Sequence, residues 1–198
     1  MSTTRIWTLV MILAAFAGTP AQASVPKTVQ LRGYALVNQN LRDRLIAPGK
    51  KFDLSAYLGA GTSTGLLDLL GTYAGSDGTS DFRNGEPNPV NALIWYLLLD
   101  SFSKDAGATC TGNSSIPWNA DIGALILRLC AWPAASAKDE QSLTTLWWTL
   151  TDFDSPPAEF EAWKALALSQ ALAALPGPRA VAALILSAVY NPFFLFQE

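Results

Sequence analysis

The stretch that decides the fold is AKDEQSLTTLWWTLTDF, residues 137–153. Its apolar side chains recur at intervals of three and four residues, which places them on one face of an α-helix. They are Leu143, Leu146, Trp147, Leu150 and Phe153. Ser136 followed three residues later by Asp139 is typical of a helix start, because a hydroxyl at the cap accepts a hydrogen bond from an amide of the first turn. The stretch therefore predicts an amphipathic helix.

Two further helices are predicted after it. Ser155-Pro156-Pro157 indicates a helix start, since proline fits the first turn, where its amide needs no partner. This helix is expected to continue through Phe160 and Trp163 until Leu175-Pro176-Gly177-Pro178 ends it. Another helix is expected from about Arg179 to Tyr190. Three helices joined by such short turns pack as antiparallel neighbours.

The C-terminal third also resembles a known domain. The likeness is carried by the run from Asp139 to Trp163, by Ala183-Leu184-Ile185-Leu186-Ser187, and by the ending Asn191-Pro192-Phe193-Phe194-Leu195-Phe196-Gln197-Glu198. These segments are similar to a small helical domain of unknown function found in large secreted bacterial proteins, often beside c-type cytochrome modules. The arginine-proline-leucine-threonine stretch usual near the start of that domain is absent here. The resemblance implies an exported location and redox proteins as neighbours more than it implies an activity.

The rest of the chain also has helical patterns. A helix is predicted from Thr28 to Ile46, and another around Leu66 to Tyr73. Between them, a short helix or turn is predicted from Asp53 to Leu58. A helix starting at Asn88-Pro89 is apolar most of the way round, which predicts a central helix packed on several sides. Another is expected from Ala120 to Trp132, with Asn119 as its cap. No segment alternates with period two, so we predict an all-α fold. The expected architecture is a single-domain bundle of about seven or eight helices covering residues 24–198.

Two features predict export. Residues 1–23 have the order of a secretory signal peptide: Arg5, an apolar core, and the small-x-small site Ala21-Gln22-Ala23. Cys110 and Cys130 are the only cysteines, and an even pair in an exported protein most simply forms one disulfide. We therefore expect a periplasmic or secreted protein with no transmembrane segment after signal cleavage.

Composition excludes several classes of function. The formal charge is −3, and a mildly acidic chain is a poor binder of nucleic acid. The chain contains no histidine, which excludes Ser-His-Asp and Cys-His nucleophiles and histidine-bound zinc. It also excludes covalent haem attachment through Cys-x-x-Cys-His. No cofactor is expected.

Carboxylates form two candidate sites. The polar segment 75–89 contains Asp77, Asp81 and Glu86, oxygen ligands of the kind that calcium prefers, although their spacing does not match the helix–loop–helix calcium pattern. This loop is the candidate for calcium or small-molecule binding. The second cluster is Asp152, Asp154 and Glu159, which would suit a hydrolase if one carboxyl were buried and its pKa raised. Acids before a helix also simply stabilise its positive end.

Half of the residues are hydrophobic and only 15% are charged. Either the core is large, or part of the surface is covered by a partner or faces a membrane. The tryptophans at helical spacing beside leucines are predicted to lie in the core. The leading hypothesis is a non-enzymatic interaction or accessory module of the cell envelope, in a redox-associated assembly, with a protein partner there. A carboxylate-based hydrolase and a calcium or small-molecule binding protein are the alternatives.

Overall fold

The computed structural model describes residues 30–31, 34–58, 89–151, 157–191 and 196–197. Within these ranges the chain forms seven α-helices: α1 (Tyr34–Leu45), α2 (Pro89–Ala108), α3 (Ala120–Leu129), α4 (Glu140–Thr151), α5 (Pro157–Ala167), α6 (Gln170–Ala173) and α7 (Gly177–Val189). Three 3-10 turns are also present, at Leu54–Leu58, Thr109–Thr111 and Ala135–Ala137. Two short strands, β1 (Gln30–Leu31) and β2 (Phe196–Gln197), pair in antiparallel fashion. The predicted all-α fold is confirmed.

Helices α2 and α7 pack against each other at the centre of the described fold. Gly107, near the end of α2, faces Pro178 at the start of α7. At the other end, the hydroxyl of Tyr190 donates to the carbonyl of Ala92 over 3.2 Å. The two helices therefore run in opposite directions. The close approach at Gly107 is possible because glycine has no Cβ there.

Buried apolar side chains from all seven helices, from the 3-10 turn at Leu54 and from connecting segments form one continuous core. The largest fully buried members are Trp95, Trp147, Phe102, Leu41, Leu45, Leu54, Leu98, Leu99, Ile126, Leu129 and Leu143. Trp132 and Trp163 are buried as well. The prediction that the tryptophans lie in the core is confirmed for these four, while Trp118 and Trp148 are partly buried against the same core.

The predicted disulfide joins Cys110 and Cys130, with an S–S distance of 2.09 Å and a Cα–Cα distance of 5.3 Å. It connects the turn after α2 to the end of α3. Asn119 caps α3 as predicted, since its side chain accepts a hydrogen bond from the amide of Ile122 over 2.9 Å. The same side chain donates to the carbonyl of Arg44 over 2.7 Å, which also attaches the start of α3 to the end of α1.

Four predicted helix boundaries are wrong. The helix expected to run from Ala120 to Trp132 ends at Leu129, where the amides of Ala131 and Trp132 form turn hydrogen bonds instead. Gln30 and Leu31 are extended, because they pair with β2 across the chain, so no helix runs through them. Ser136 lies in a 3-10 turn, and Asp139 provides the cap of α4 instead: its carboxylate accepts from the amide of Ser142 over 2.8 Å. The helix expected to run to Pro176 ends at Ala167, and a short helix, α6, follows it.

The break after α5 has a local cause. The hydroxyl of Ser169 accepts a hydrogen bond from the amide of Leu172 over 3.3 Å, which starts α6.

Pro89 begins α2 as predicted, and the predicted helix around Leu66 to Tyr73 lies outside the described residues. Nothing in the described ranges is both long and apolar enough for a membrane-spanning helix.

Candidate functional site

A polar cluster joins three segments around Asp105 of α2. The hydroxyl of Tyr57 donates to one carboxylate oxygen of Asp105 over 2.7 Å. Ser115 donates twice, from its amide to Oδ1 over 2.9 Å and from its hydroxyl to Oδ2 over 2.5 Å. The cluster therefore connects the 3-10 turn Leu54–Leu58 and the loop before α3 to the central helix.

The electrostatics of this cluster follow from these bonds. Partial burial raises the pKa of Asp105, but the hydrogen bonds from Ser115 and Tyr57 outweigh it, and the pKa of Asp105 lies below its ordinary value. Burial, followed by the hydrogen bond to Asp105, raises the pKa of Tyr57. A carboxylate with a lowered pKa is a weak base. The arrangement thus favours a structural role in which Asp105 stays ionised and Tyr57 keeps its proton.

The predicted carboxylate sites fall mostly outside the described residues. This is so for Asp77, Asp81 and Glu86, and for Asp152 and Asp154. Glu159 is described, and it lies half-exposed in the first turn of α5, where a negative charge stabilises the helix. In the described ranges no three histidine, cysteine, aspartate or glutamate side chains gather as a possible metal site. The calcium or small-molecule site in the segment 75–89 and the hydrolase site in the second acidic cluster therefore stay predictions.

The aromatic side chains of α4 and α5 pack on one another. The rings of Trp147 and Trp163 are 5.2 Å apart, and Phe160 lies 6.2 Å from Trp147 and 6.1 Å from Trp148. The indole N–H of Trp163 donates to the hydroxyl of Ser187 on α7 over 3.0 Å. Tilted and stacked ring contacts of this kind stabilise a core beyond the area they bury. These rings hold α4, α5 and α7 together.

Two large apolar side chains of α2 are exposed. Leu93 is 57% exposed and Leu97 is 45% exposed. They are four residues apart, so they lie one turn from each other on the same face of the helix. The prediction that α2 packs on several sides holds for the side facing α7 and the 3-10 turn at Leu54–Leu58. In the described part of the chain, no element packs over Leu93 and Leu97.

Two tyrosines lie beside these leucines. The rings of Tyr96 and Tyr190 meet edge to face, 5.6 Å apart at an angle of 82°. Both rings are partly exposed, and the hydroxyl of Tyr190 is held by the carbonyl of Ala92, next to Leu93. Partial burial raises the pKa of both tyrosines, so both stay neutral near pH 7. We call Leu93, Tyr96, Leu97 and Tyr190 the leucine–tyrosine surface.

The leucine–tyrosine surface has the composition of a protein-binding patch. Tyrosine is enriched where proteins meet, because its ring adds a large contact area at a small entropic cost. Burying the exposed half of two leucine side chains contributes about 2 kcal/mol, which is roughly a thirtyfold gain in affinity. Asp100 and Lys104, one and two turns further along α2, pair with each other over 2.5 Å and place a polar border beside the surface.

Comparison of the chain with protein-family models, with curated proteins and with solved structures finds no match. The candidate site therefore depends on this structure alone. The sequence pattern does not locate the leucine–tyrosine surface, because the apolar residues of α2 follow one another without a polar face. The one available signal was the composition, in which many hydrophobic and few charged residues suggested a covered surface.

Proposed function

We propose that this protein is an exported helical module of the cell envelope that binds another protein through the leucine–tyrosine surface. The observation that carries the proposal is the pair of exposed leucines, Leu93 and Leu97, beside the Tyr96–Tyr190 contact. Apolar side chains of this size on the central helix are costly to leave in water, and a protein partner would remove them from it. The module acts by binding and not by catalysis.

Two observations support export to the periplasm or beyond. Disulfides persist in oxidising compartments and are rare in the cytosol, and the bond between Cys110 and Cys130 is formed. Residues 1–23 have the pattern of a secretory signal. The resemblance of the C-terminal third to domains found beside c-type cytochromes supports a redox assembly as the place where the partner is found.

The test is affinity capture of the oxidised protein from its own envelope extract, compared with two variants. Leu93→Glu with Leu97→Glu places two charges on the leucine–tyrosine surface, and glutamate keeps the helix propensity of leucine. Leu168→Glu is the matched control, because Leu168 is 48% exposed and lies between α5 and α6.

We expect the wild-type protein and the Leu168 variant to capture the same partner in stoichiometric amount. The variant with Leu93→Glu and Leu97→Glu should not capture it. Retention of the same partner by all three proteins would contradict the assigned surface. Capture of no partner by the wild-type protein would contradict the function itself.

A further inference from the structure

A second apolar face lies on α3, on the side away from the core, and none of the described segments covers it. Ile122, Leu125, Ile126 and Leu129 are buried, whereas Leu127 is 58% exposed. With 100° of rotation per residue, Ala120, Ala124 and Leu127 fall within about 60° of one another on the outside of the helix. All three are exposed, as are Ala131, Pro133, Ala134 and Ala135 just beyond the helix. Small side chains on such a face let another helix approach closely.

Two opposite charges border this face. Asp121 and Arg128 are seven residues apart, which is close to two full turns and about 10 Å along the axis, so both lie along the same edge. Both are exposed. Among the described residues, the Asp121 carboxylate has no ion-pair or hydrogen-bond partner. Arg128 donates one hydrogen bond, from a guanidinium nitrogen to the hydroxyl of Ser142 over 3.3 Å, and its charge also helps to lower the pKa of the nearby Asp139.

This edge is complementary to itself. A two-fold axis perpendicular to α3, passing beside the exposed face at the level midway between Asp121 and Arg128, would place a second α3 antiparallel to the first. Each Asp121 then lies beside the Arg128 of the other copy, and the contact is made twice. The same axis places Ala124 of each copy against the alanine and leucine side chains of the other. A parallel two-fold arrangement would instead place the two edges on opposite sides of the interface, where Asp121 and Arg128 of the two copies do not meet.

We infer that the occupant of this α3 face is a second copy of the chain, bound in antiparallel fashion with Asp121 and Arg128 paired across a two-fold axis. The inference is independent of the proposed function, because Leu93 and Leu97 lie on α2 and stay free for another partner. The resulting dimer would present two leucine–tyrosine surfaces. An envelope protein with two equal surfaces would bind a repeated or dimeric partner with higher avidity.

The expected dimer is weak. The face is only about three turns long, and stable interfaces bury about 800 Å² on each partner, which one helix face of this length does not reach. Self-association is therefore expected only at roughly 10 µM to 1 mM protein. Since the two ion pairs lie at the exposed edge, about 1 M salt should weaken it.

The test is sedimentation velocity of the mature, oxidised protein across that concentration range. Wild-type protein should shift from monomer to dimer as concentration rises. Asp121→Arg should weaken association at least fivefold, because it places two arginines together at each pair. The double variant Asp121→Arg with Arg128→Glu should recover it, because the pair is restored with its charges exchanged.

Two further variants keep the test decisive if the double variant folds poorly. Ala124→Glu keeps a good helix former at an exposed position and should abolish the dimer, while Leu93→Glu with Leu97→Glu should leave it unchanged. Circular dichroism of dilute samples checks that each variant is folded. A wild-type protein that stays monomeric at about 1 mM would overturn the inference. So would a dimer that Ala124→Glu leaves intact, or one that the α2 variant disrupts.

Discussion

Substituting alanine for Gly107 tests the packing of α2 on α7, on which the leucine–tyrosine surface is built. A Cβ at this position would lie 2.2 Å from the carbonyl oxygen of Pro178 and 3.2 Å from the Cβ of Ala182. Cβ atoms essentially never approach another heavy atom more closely than 3.0 Å, so the helices must separate by about 1 Å. The obstructing atom belongs to the backbone and cannot rotate away as a side chain would.

The expected magnitude is the difference between two effects. Over-packing a core costs about 1 to 3 kcal/mol, and a backbone obstacle places this site near the upper limit. Alanine is favoured over glycine in a helix by up to about 1 kcal/mol, and at Gly107, the next-to-last residue of α2, this gain offsets part of the cost. We expect Gly107→Ala to lower the free energy of unfolding by about 2 kcal/mol, a fall in the melting temperature of about 4 to 8 °C.

Gly123 provides the matched control. It lies within α3, and its added Cβ would meet only the Cβ of Trp118 at 3.5 Å, an ordinary contact. Gly123→Ala should therefore raise stability by up to about 1 kcal/mol. Urea unfolding followed by circular dichroism measures both. If Gly107→Ala proved as stable as the wild-type protein, the close approach of α2 and α7 at Pro178 would be wrong.

Three further predictions concern the disulfide and the polar cluster. Replacing Cys110 and Cys130 by serine should lower the free energy of unfolding by about 3 kcal/mol in the chain-entropy estimate, and a reducing agent should then have no further effect on the urea midpoint; an unchanged midpoint in the variant would count against the bond. The pKa of Asp105 is lower in the folded protein than in the unfolded chain. The contribution of Asp105 to the free energy of unfolding is therefore complete above the unfolded pKa of about 3.9, and it is lost as the pH falls through the folded pKa. Asp105→Asn should therefore lower stability near pH 7 and flatten the loss of stability below about pH 4, whereas an acid limb equal to that of the wild-type protein would refute the assignment. The pKa of Tyr57 is raised in the folded protein. The contribution of Tyr57 to the free energy of unfolding is therefore complete below the unfolded pKa of about 10 and is lost as the pH rises above that value. Tyr57→Phe should remove that alkaline loss and lower stability near pH 7 by roughly 1.5 kcal/mol, and thermal melts at several pH values measure both.

Much of the fold could be predicted because its signals are local. Pro89 begins a helix because proline is accommodated in the first turn, and Asn119 caps α3 through a hydrogen bond only three residues away. The pairing of Cys110 with Cys130 followed from the number of cysteines. These features depend on a few neighbouring residues or on counting, so the sequence was sufficient.

Other features depend on contacts between distant segments. Gln30 and Leu31 are extended because they pair with Phe196 and Gln197 at the opposite end of the chain, which no local pattern shows. The end of α5 had a local signal in Ser169, but the apolar spacing continues past it and favoured one long helix.

The candidate site was beyond the reach of pattern analysis. The residues of α2 are apolar on nearly every side, so the spacing of Leu93 and Leu97 does not differ from that of their buried neighbours Ile94 and Leu98. Exposure is decided by which helices pack on α2, and that is a property of the whole fold. The same holds for Asp105, whose two donor residues come from separate parts of the chain.

The most direct test of the proposed function is the affinity of the purified protein for the partner identified by capture, measured by titration calorimetry for the wild-type protein and for the variant with Leu93→Glu and Leu97→Glu. The proposal predicts a loss of at least about thirtyfold in affinity, with the melting temperature of the variant unchanged within a few degrees. Equal affinity of the two proteins would show that the partner does not bind the leucine–tyrosine surface, and the proposed role of that surface would be wrong.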